Sequence, residues 1–359
     1  MTKIMAAVAT AFGEGLKLEE LELRAPGPGE VQVKIEAFAI CHSDISYLDG
    51  GWGGELPAVY GHEAAGTVEA VGEGVRSILP GNRVIVTLIK SCGTCPECGS
   101  GRPVYCTGNV APPPVLTRGD GTPVVQGLKC GAFAERVVVD QSQLAVIGEV
   151  PSDVGCLLAC GVPTGFGAAV NTARVRPGDT VAVIGAGGVG LNVIQGAYIA
   201  GAARIVALDM NASKEADARA FGATDFVLAS DEKPWRGVQA ATGGRGADHV
   251  FVAVGAPQAY DVAPRLIAPR GTVYAVGMPH NGQMSSYEPV MIAYLGQGLR
   301  GSLMGEVVLR RDIPWMLDLY QQGRLKLDEL VSKRWAFDQI NEAIADTKRG
   351  TARRNVIVL

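Results

Sequence analysis

One ten-residue run, Val181-Ala-Val-Ile-Gly-Ala-Gly-Gly-Val-Gly190, constrains this 359-residue chain more than any other feature in it. Four apolar residues that read as a buried strand lead into a G-x-G-x-x-G turn and then into a helix-length segment. Glycines there permit a tight turn, let backbone N–H groups approach a pyrophosphate and aim a helix N-terminus at it. Asp209 ends the next predicted strand, 19 residues after Gly190. A carboxylate at that point accepts hydrogen bonds from the ribose hydroxyls of an adenosine and repels a 2′-phosphate. The run therefore predicts a dinucleotide site with NAD preferred over NADP, formed by Gly185, Gly187, Gly188, Gly190 and Asp209. The plainer alternatives are a glycine turn in an unliganded sheet and, for Asp209, a cap on the segment carrying Asn211 and Ser213.

Around this run the pattern is that of a parallel sheet. Residues 181–185, 204–209, 249–254 and 271–277 read as four apolar strands, with helical stretches between the first three. Up to about residue 160 the chain instead shows short alternating β segments, at 31–38, 66–71, 84–86 and 135–139, separated by Gly/Pro turns. Beyond residue 300 it carries helical stretches at 312–322 and 337–347 and a closing strand at 355–359. The length suits two domains, so the expected class is α/β: a mostly β domain and a doubly wound parallel sheet.

The balance of 32 basic against 36 acidic residues, net −4, gives no cationic surface for nucleic acid or an acidic membrane, and neither partner is expected. Residues 181–203 carry no charge, but six of the 23 are glycine and Asn192 and Gln195 interrupt them, so strand, turn and helix fit better than a membrane span. No secretory signal is visible at the N-terminus, which makes a cytoplasmic, reducing compartment the expectation. Thiols persist there, and clustered cysteines become candidate metal ligands.

Eight cysteines are present, four of them in Cys92-x2-Cys95-x2-Cys98-x7-Cys106. Four thiolates this close can close a tetrahedral shell around one Zn²⁺ and leave no position for substrate, so this site reads as structural. Gly93, Pro96, Gly99 and Gly101 supply the bends. An iron–sulfur cluster fits less well, because the C-x3-C-P continuation of the ferredoxin pattern is missing. Disulfides are disfavoured by the compartment. A reactive zinc needs three protein ligands and an open position. Outside the lobe the candidates are Cys41, His62, Cys130, Cys156 and Cys160, with Glu63 beside His62.

Cys41-His-Ser-Asp44, Gly61-His-Glu-Ala-Ala-Gly66, the four-cysteine lobe, Cys160-Gly-Val-Pro-Thr164-Gly and Gly185-Ala-Gly-Gly-Val-Gly190 occur in the order found in the zinc-dependent alcohol dehydrogenases of the medium-chain superfamily. The chain resembles that family over essentially its whole length. The resemblance implies a GroES-like catalytic domain over residues 1–161 and 304–359, with the zinc lobe at 92–106, and a Rossmann domain over 162–303. It implies Cys41, His62 and Cys160 as ligands of a catalytic zinc, Glu63 behind them as a transient ligand and Asp44 as the acceptor that fixes the His62 ring. Ser43 matches the hydroxyl that takes the alcohol proton. His42 and Arg354 match contacts to the cofactor pyrophosphate, Thr164 and Val189 match residues around the nicotinamide, and Lys214 matches a ribose contact.

By the same resemblance the cofactors are NAD and two Zn²⁺ per chain, and the assembly is a homodimer or homotetramer. The zinc acts as a Lewis acid on the alcohol oxygen, and hydride passes from the alcohol carbon to the nicotinamide. Ser46 stands where well-known members place a histidine that ends the proton relay to solvent. Trp52, Leu88 and Met278 fall at substrate-channel positions and suit a medium or aromatic primary alcohol. Stretches such as 156–161 and 167–172 also resemble the branch that oxidises S-hydroxymethyl adducts of glutathione or mycothiol, although Trp52 replaces an acidic substrate contact of the glutathione form. A zinc-carrying, nucleotide-sensing scaffold without turnover is the alternative from another class, and the intact ligand set argues against it.

Overall fold

The computed structural model describes residues 1–108 and 114–359. In chain order the strands are β1 (Thr2–Ala9), β2 (Lys17–Leu23), β3 (Glu30–Ala39), β4 (Ala58–Val59), β5 (Glu63–Val71), β6 (Arg83–Thr87), β7 (Leu116–Thr117), β8 (Pro123–Gln126), β9 (Arg136–Asp140) and β10 (Leu144–Val146). There follow β11 (Thr180–Ile184), β12 (Arg204–Asp209), β13 (Asp225–Leu228), β14 (Ala247–Val252), β15 (Ile267–Ala275) and β16 (Gly298–Gly301), and finally β17 (Val331–Ala336) and β18 (Arg354–Val358). The chain forms two compact units, one of Met1–Gly161, Val308–Gly323 and Leu327–Leu359, the other of Val162–Val307 and Arg324–Lys326.

In the first unit β1, β2, β7, β8 and β4 close a small barrel, and a second sheet runs β10-β6-β5-β3-β18-β17 with β9 also on β3. The alternation read from sequence in β3 is the reason: Val31, Val33 and Ile35 are buried while Lys34 faces solvent. Phe38 and Phe133, both fully buried with ring centroids 4.9 Å apart, anchor the core; truncating either to Ala costs about 3–5 kcal/mol. Gly66 is required where β5 crosses β3, because a Cβ there would lie 1.9 Å from the Lys34 carbonyl oxygen.

The second unit is a six-stranded sheet in the order β13-β12-β11-β14-β15-β16, parallel throughout. Its central strands are continuous apolar runs, as a sheet covered on both faces demands; Val181–Val183 and Val250–Val252 are fully buried. The order reverses between β12 and β14 on either side of β11, the switch point at which such sheets bind nucleotides.

Four of these six strands coincide with the apolar runs expected from sequence, and the two edge strands do not. β13 is a half-buried edge whose apolar run, Phe226-Val-Leu, is only three residues long within the strand, and β16 reads Gly-Leu-Arg-Gly with a single apolar side chain. β17, Val-Ser-Lys-Arg-Trp-Ala, is absent from the expected strands for the same reason. The helix expected at 312–322 spans Leu309–Gln321, started early by Asp312, whose carboxylate accepts the Val308 N–H at 2.8 Å. Among the described residues no single helix is long and apolar enough to cross a membrane.

Candidate active site

In the first unit one donor atom each from Cys41, His62, Glu63 and Cys160 lies within 4.8 Å of the others, and all four residues are buried. Cys41 follows β3 and caps the His42–Leu48 helix reciprocally with Asp44. Gly61 turns the chain into β5 with φ of +93°, and a Cβ on it would strike the Phe133 ring at 2.4 Å. That turn aims His62 and Glu63 inward. Cys160 ends the short helix Cys156–Ala159. Cys156 is not in the group; its thiol donates to the Asp153 carbonyl at 3.6 Å. Cys130 is also outside it, fully buried with its thiol pushed up by that burial.

Asp44, fully buried, organises the group. One carboxylate oxygen takes the His62 Nδ1 and the Gly61 N–H, each at 2.9 Å, and the other takes the Cys41 N–H at 3.3 Å. Holding the proton on Nδ1 leaves Nε2 as a lone-pair donor, and Nε2 is buried with no hydrogen-bond partner. A zinc ion fits this donor set: two sulfurs, an imidazole nitrogen left unsatisfied, and a carboxylate neither of whose oxygens has a hydrogen-bond partner. Glu63 faces Arg354, Nη2 to Oε1 3.2 Å. Gly161 makes room for that guanidinium, since a Cβ on it would lie 1.5 Å from Nη2.

Charge in the group is strongly biased. Hydrogen bonding from Cys160 and the charge of His62 hold the Cys41 thiol well below its ordinary value, against burial. Burial opposes charging of His62, but Asp44 and Cys41 outweigh it and raise the imidazole well above its usual range. Burial raises Glu63 to about 8, with Arg354 opposing. A metal ion would displace the protons so held.

The lobe brings Cys92, Cys95, Cys98 and Cys106 together within 4.8 Å. Backbone N–H groups converge on sulfur, Cys95 on Cys92 at 3.3 Å and Cys92 on Cys106 at 3.3 Å. Hydrogen bonds from Thr94 lower the Cys92 thiol to about 7, and the Cys98 N–H lowers Cys95 to about 5. Burial and the neighbouring thiols push Cys98 up to about 12, so the lobe itself biases Cys92 and Cys95, not Cys98, toward the thiolate. Gly108 closes the wrap, because a Cβ there would come within 2.5 Å of the Cys92 sulfur.

In the second unit Gly185 has φ of +96°, and a Cβ on Gly190 would fall 1.7 Å from the Gly185 carbonyl oxygen. A Cβ on Gly187 would meet nothing within 4 Å, so the turn is open where a pyrophosphate would lie. Gly188 and Val189 begin the Gly188–Ile199 helix. Asp209 is fixed by the glycine turn and by its own loop, accepting the Ala186 N–H at 2.8 Å and the Asn211 N–H at 3.0 Å. A dinucleotide fits this cradle. Lys214 is buried in the turn Ala212–Lys214, and Thr164 donates to the Met304 sulfur at 3.5 Å.

The remaining candidates are dispersed. His42 is exposed and Ser43 and Ser46 half-buried on one helix. Leu88 packs on the barrel core of the first unit. Met278 is exposed in the second. Trp52 meets Tyr47 edge-on at 5.3 Å, and Tyr47 stacks on Tyr60 at 5.7 Å. The stack was not among the expected site features; its signal in the sequence is three aromatics within fourteen residues, just before His62.

The sequence matches the alcohol dehydrogenase GroES-like domain over residues 27–149 and the zinc-binding dehydrogenase family over residues 188–322. It is 35% identical to an NDMA-dependent alcohol dehydrogenase of Amycolatopsis methanolica, covering 99% of each chain. To an S-(hydroxymethyl)glutathione dehydrogenase of Saccharomyces cerevisiae it is 38% identical, covering 99% of this chain and 96% of that protein. Among solved structures, an alcohol dehydrogenase zinc-binding domain protein from Burkholderia ambifaria superimposes with a TM-score of 0.95 at 32% identity, over 100% of this chain and 99% of that one. Benzyl alcohol dehydrogenase from Acinetobacter calcoaceticus gives 0.93 at 29% identity, over 100% of both.

Proposed function

The chain belongs to the zinc-dependent alcohol dehydrogenases of the medium-chain superfamily, and from that premise we propose that it oxidises a primary alcohol, medium-chain or aromatic, reversibly to the aldehyde with NAD and two zinc ions per chain. The observation that carries this reading is the buried Cys41–His62–Cys160 set with His62 Nε2 left without a partner. Bound zinc supplies Lewis acidity toward the alcohol oxygen and bound NAD supplies the hydride acceptor.

The chain's own residues do the rest. Asp44 fixes the His62 tautomer, and Cys41 and Cys160 bring the negative charge that balances a divalent cation. Ser43, next but one to Cys41, receives the alcohol proton. Arg354 faces Glu63 and keeps that side chain behind the ligands. Asp209 holds the ribose hydroxyls, and its charge opposes a 2′-phosphate. Trp52, braced by Tyr47, offers an aromatic face to the substrate, and a structural neighbour is a benzyl alcohol dehydrogenase.

A second reading, oxidation of an S-hydroxymethyl thiol adduct, is favoured by the 38% identity to the yeast S-(hydroxymethyl)glutathione dehydrogenase. Initial rates with benzyl alcohol, hexanol, and formaldehyde with and without glutathione or mycothiol separate the two. Oxidation of benzyl alcohol without a thiol supports the first reading. A strict thiol requirement replaces it with the second.

A further inference from the structure

Three consecutive residues of the second unit, Met304, Gly305 and Glu306, have φ of +48°, +61° and +49°. A side-chain-bearing L-residue loses about 1–2 kcal/mol in this region and normally visits it singly. Two of these three carry side chains, so the turn is held from outside. Arg300 donates through Nη2 to both Glu306 carboxylate oxygens, at 2.7 and 3.0 Å, and through Nη1 to the Thr172 carbonyl at 3.1 Å. Asn171 Nδ2 donates to the Gly305 carbonyl at 3.2 Å. The hydroxyls of Thr172 and Ser302 share a hydrogen bond of 2.9 Å. The backbones also interlock: a Cβ on Gly167 would lie 2.4 Å from the Gly305 carbonyl oxygen, and one on Gly305 would lie 2.2 Å from that of Pro163. Opposite the turn, Ala168–Ala173 is a π-helical segment. Two rare backbone irregularities thus face each other, the kind of over-determined strain that collects at ligand sites.

The turn stands at the carboxyl edge of the parallel sheet. It follows the end of β16, and Ser302 N–H donates to the carbonyl of Ala275, the last residue of β15, at 2.9 Å. The glycine turn leaves β11 at the same edge. A dinucleotide lies across such an edge with one half on each side of the switch point. Asp209, on β12, takes the adenosine half, which assigns the β14–β15–β16 side to the nicotinamide half. The helix Gly161–Gly167 links the two places: a Cβ on Gly165 would lie 2.2 Å from the Val189 carbonyl oxygen, and Gly167 meets Gly305.

We infer that Asn171, Arg300 and Glu306 are positioning residues for the hydride acceptor: they clamp the left-handed turn so that the Thr164 hydroxyl and the Met304 thioether form a fixed wall for the nicotinamide half of the cofactor. The inference rests on the NAD reading above. Glycine at all three turn positions would adopt these angles without strain, but it would provide neither the carboxylate for Arg300 nor the sulfur for Thr164.

Calorimetric titration of the full chain with NADH and with ADP-ribose, which lacks the nicotinamide, tests it, alongside thermal melts. Arg300→Met and Glu306→Gln should each weaken NADH by about fivefold to twentyfold, the size of a half-exposed charge-assisted contact, while ADP-ribose stays within about twofold. The double variant should lose no more than Arg300→Met alone, since that change already removes the Glu306 contact together with the bond to the Thr172 carbonyl. Equal losses for the two ligands, or unchanged NADH binding, overturn the inference. Failure of wild type to bind either ligand overturns the NAD reading and the inference with it. Glu306→Gln is isosteric and carries the test alone if Arg300→Met does not fold.

Discussion

Replacing Asp44 by Asn changes almost nothing in volume and removes the acceptor on which the His62 ring depends. Asp44 now accepts three hydrogen bonds, from His62 Nδ1, the Gly61 N–H and the Cys41 N–H, with no solvent access. An amide keeps one acceptor oxygen and turns the other position into a donor. If that NH2 group meets His62, the imidazole proton moves to Nε2, where it blocks the lone pair that points at Cys41 and Cys160. If the oxygen meets His62, the Cys41 N–H is left facing a donor. Either way about 1.5–3 kcal/mol of charge-assisted bonding is lost. That corresponds to roughly 10–100-fold in zinc affinity, the usual cost of losing such a support. Chelator competition followed by metal analysis should show one zinc leaving Asp44→Asn early while the lobe zinc stays, with kcat lowered by a similar factor and partly restored by added zinc. Zinc affinity and kcat within about twofold of wild type would refute the reasoning.

Gly108→Ala should cost the chain its lobe zinc and lower Tm, because the new methyl would lie 2.5 Å from the Cys92 sulfur; metal content near two per chain with an unchanged melt would argue otherwise. In zinc-free protein the Glu63 carboxyl sits at about 8 when folded against 4.5 unfolded, so the stability it contributes is complete below pH 4.5 and is lost as pH rises toward 8. Glu63→Gln should therefore gain Tm relative to wild type from pH 5 to pH 8, and a difference that stays flat would count against the burial of that charge. Asp209→Ala should weaken NAD about tenfold or more and narrow its advantage over NADP; an unchanged NAD/NADP ratio in kcat/KM would remove Asp209 from the ribose site.

Much of this was legible in the sequence because the features are local. The glycine run, the lobe spacing and the alternation of β3 each act within a few residues, and each prescribes one backbone shape. The edge strands β13 and β16 were not legible, since the Phe226-Val-Leu run of β13 is too short to stand out and a Gly-Leu-Arg-Gly segment has little intrinsic β preference. Arg300, Asn171 and Glu306 left no sequence signal either. Their meeting depends on three left-handed residues in a row, two of which are not glycine. The aromatic stack of Tyr47, Trp52 and Tyr60 is intermediate: the residues are close in sequence, but the turn through Gly61 that brings Tyr60 beside Tyr47 is a tertiary fact. Choosing Cys160 over Cys156 rested on resemblance. In the structure the distinction is the end of a short helix, where one thiol faces Cys41 and the other a backbone carbonyl.

The central claim is that a buried Cys41–His62–Cys160 set holds a reactive zinc distinct from the zinc of the cysteine lobe. Zinc content per chain and alcohol-dependent formation of NADH, measured together on wild type and on Cys41→Ala, test it most directly. Wild type should carry two zincs and turn over, and Cys41→Ala should carry one zinc and show no turnover. Two zincs in the variant, or alcohol oxidation undiminished by loss of the thiol, would contradict it.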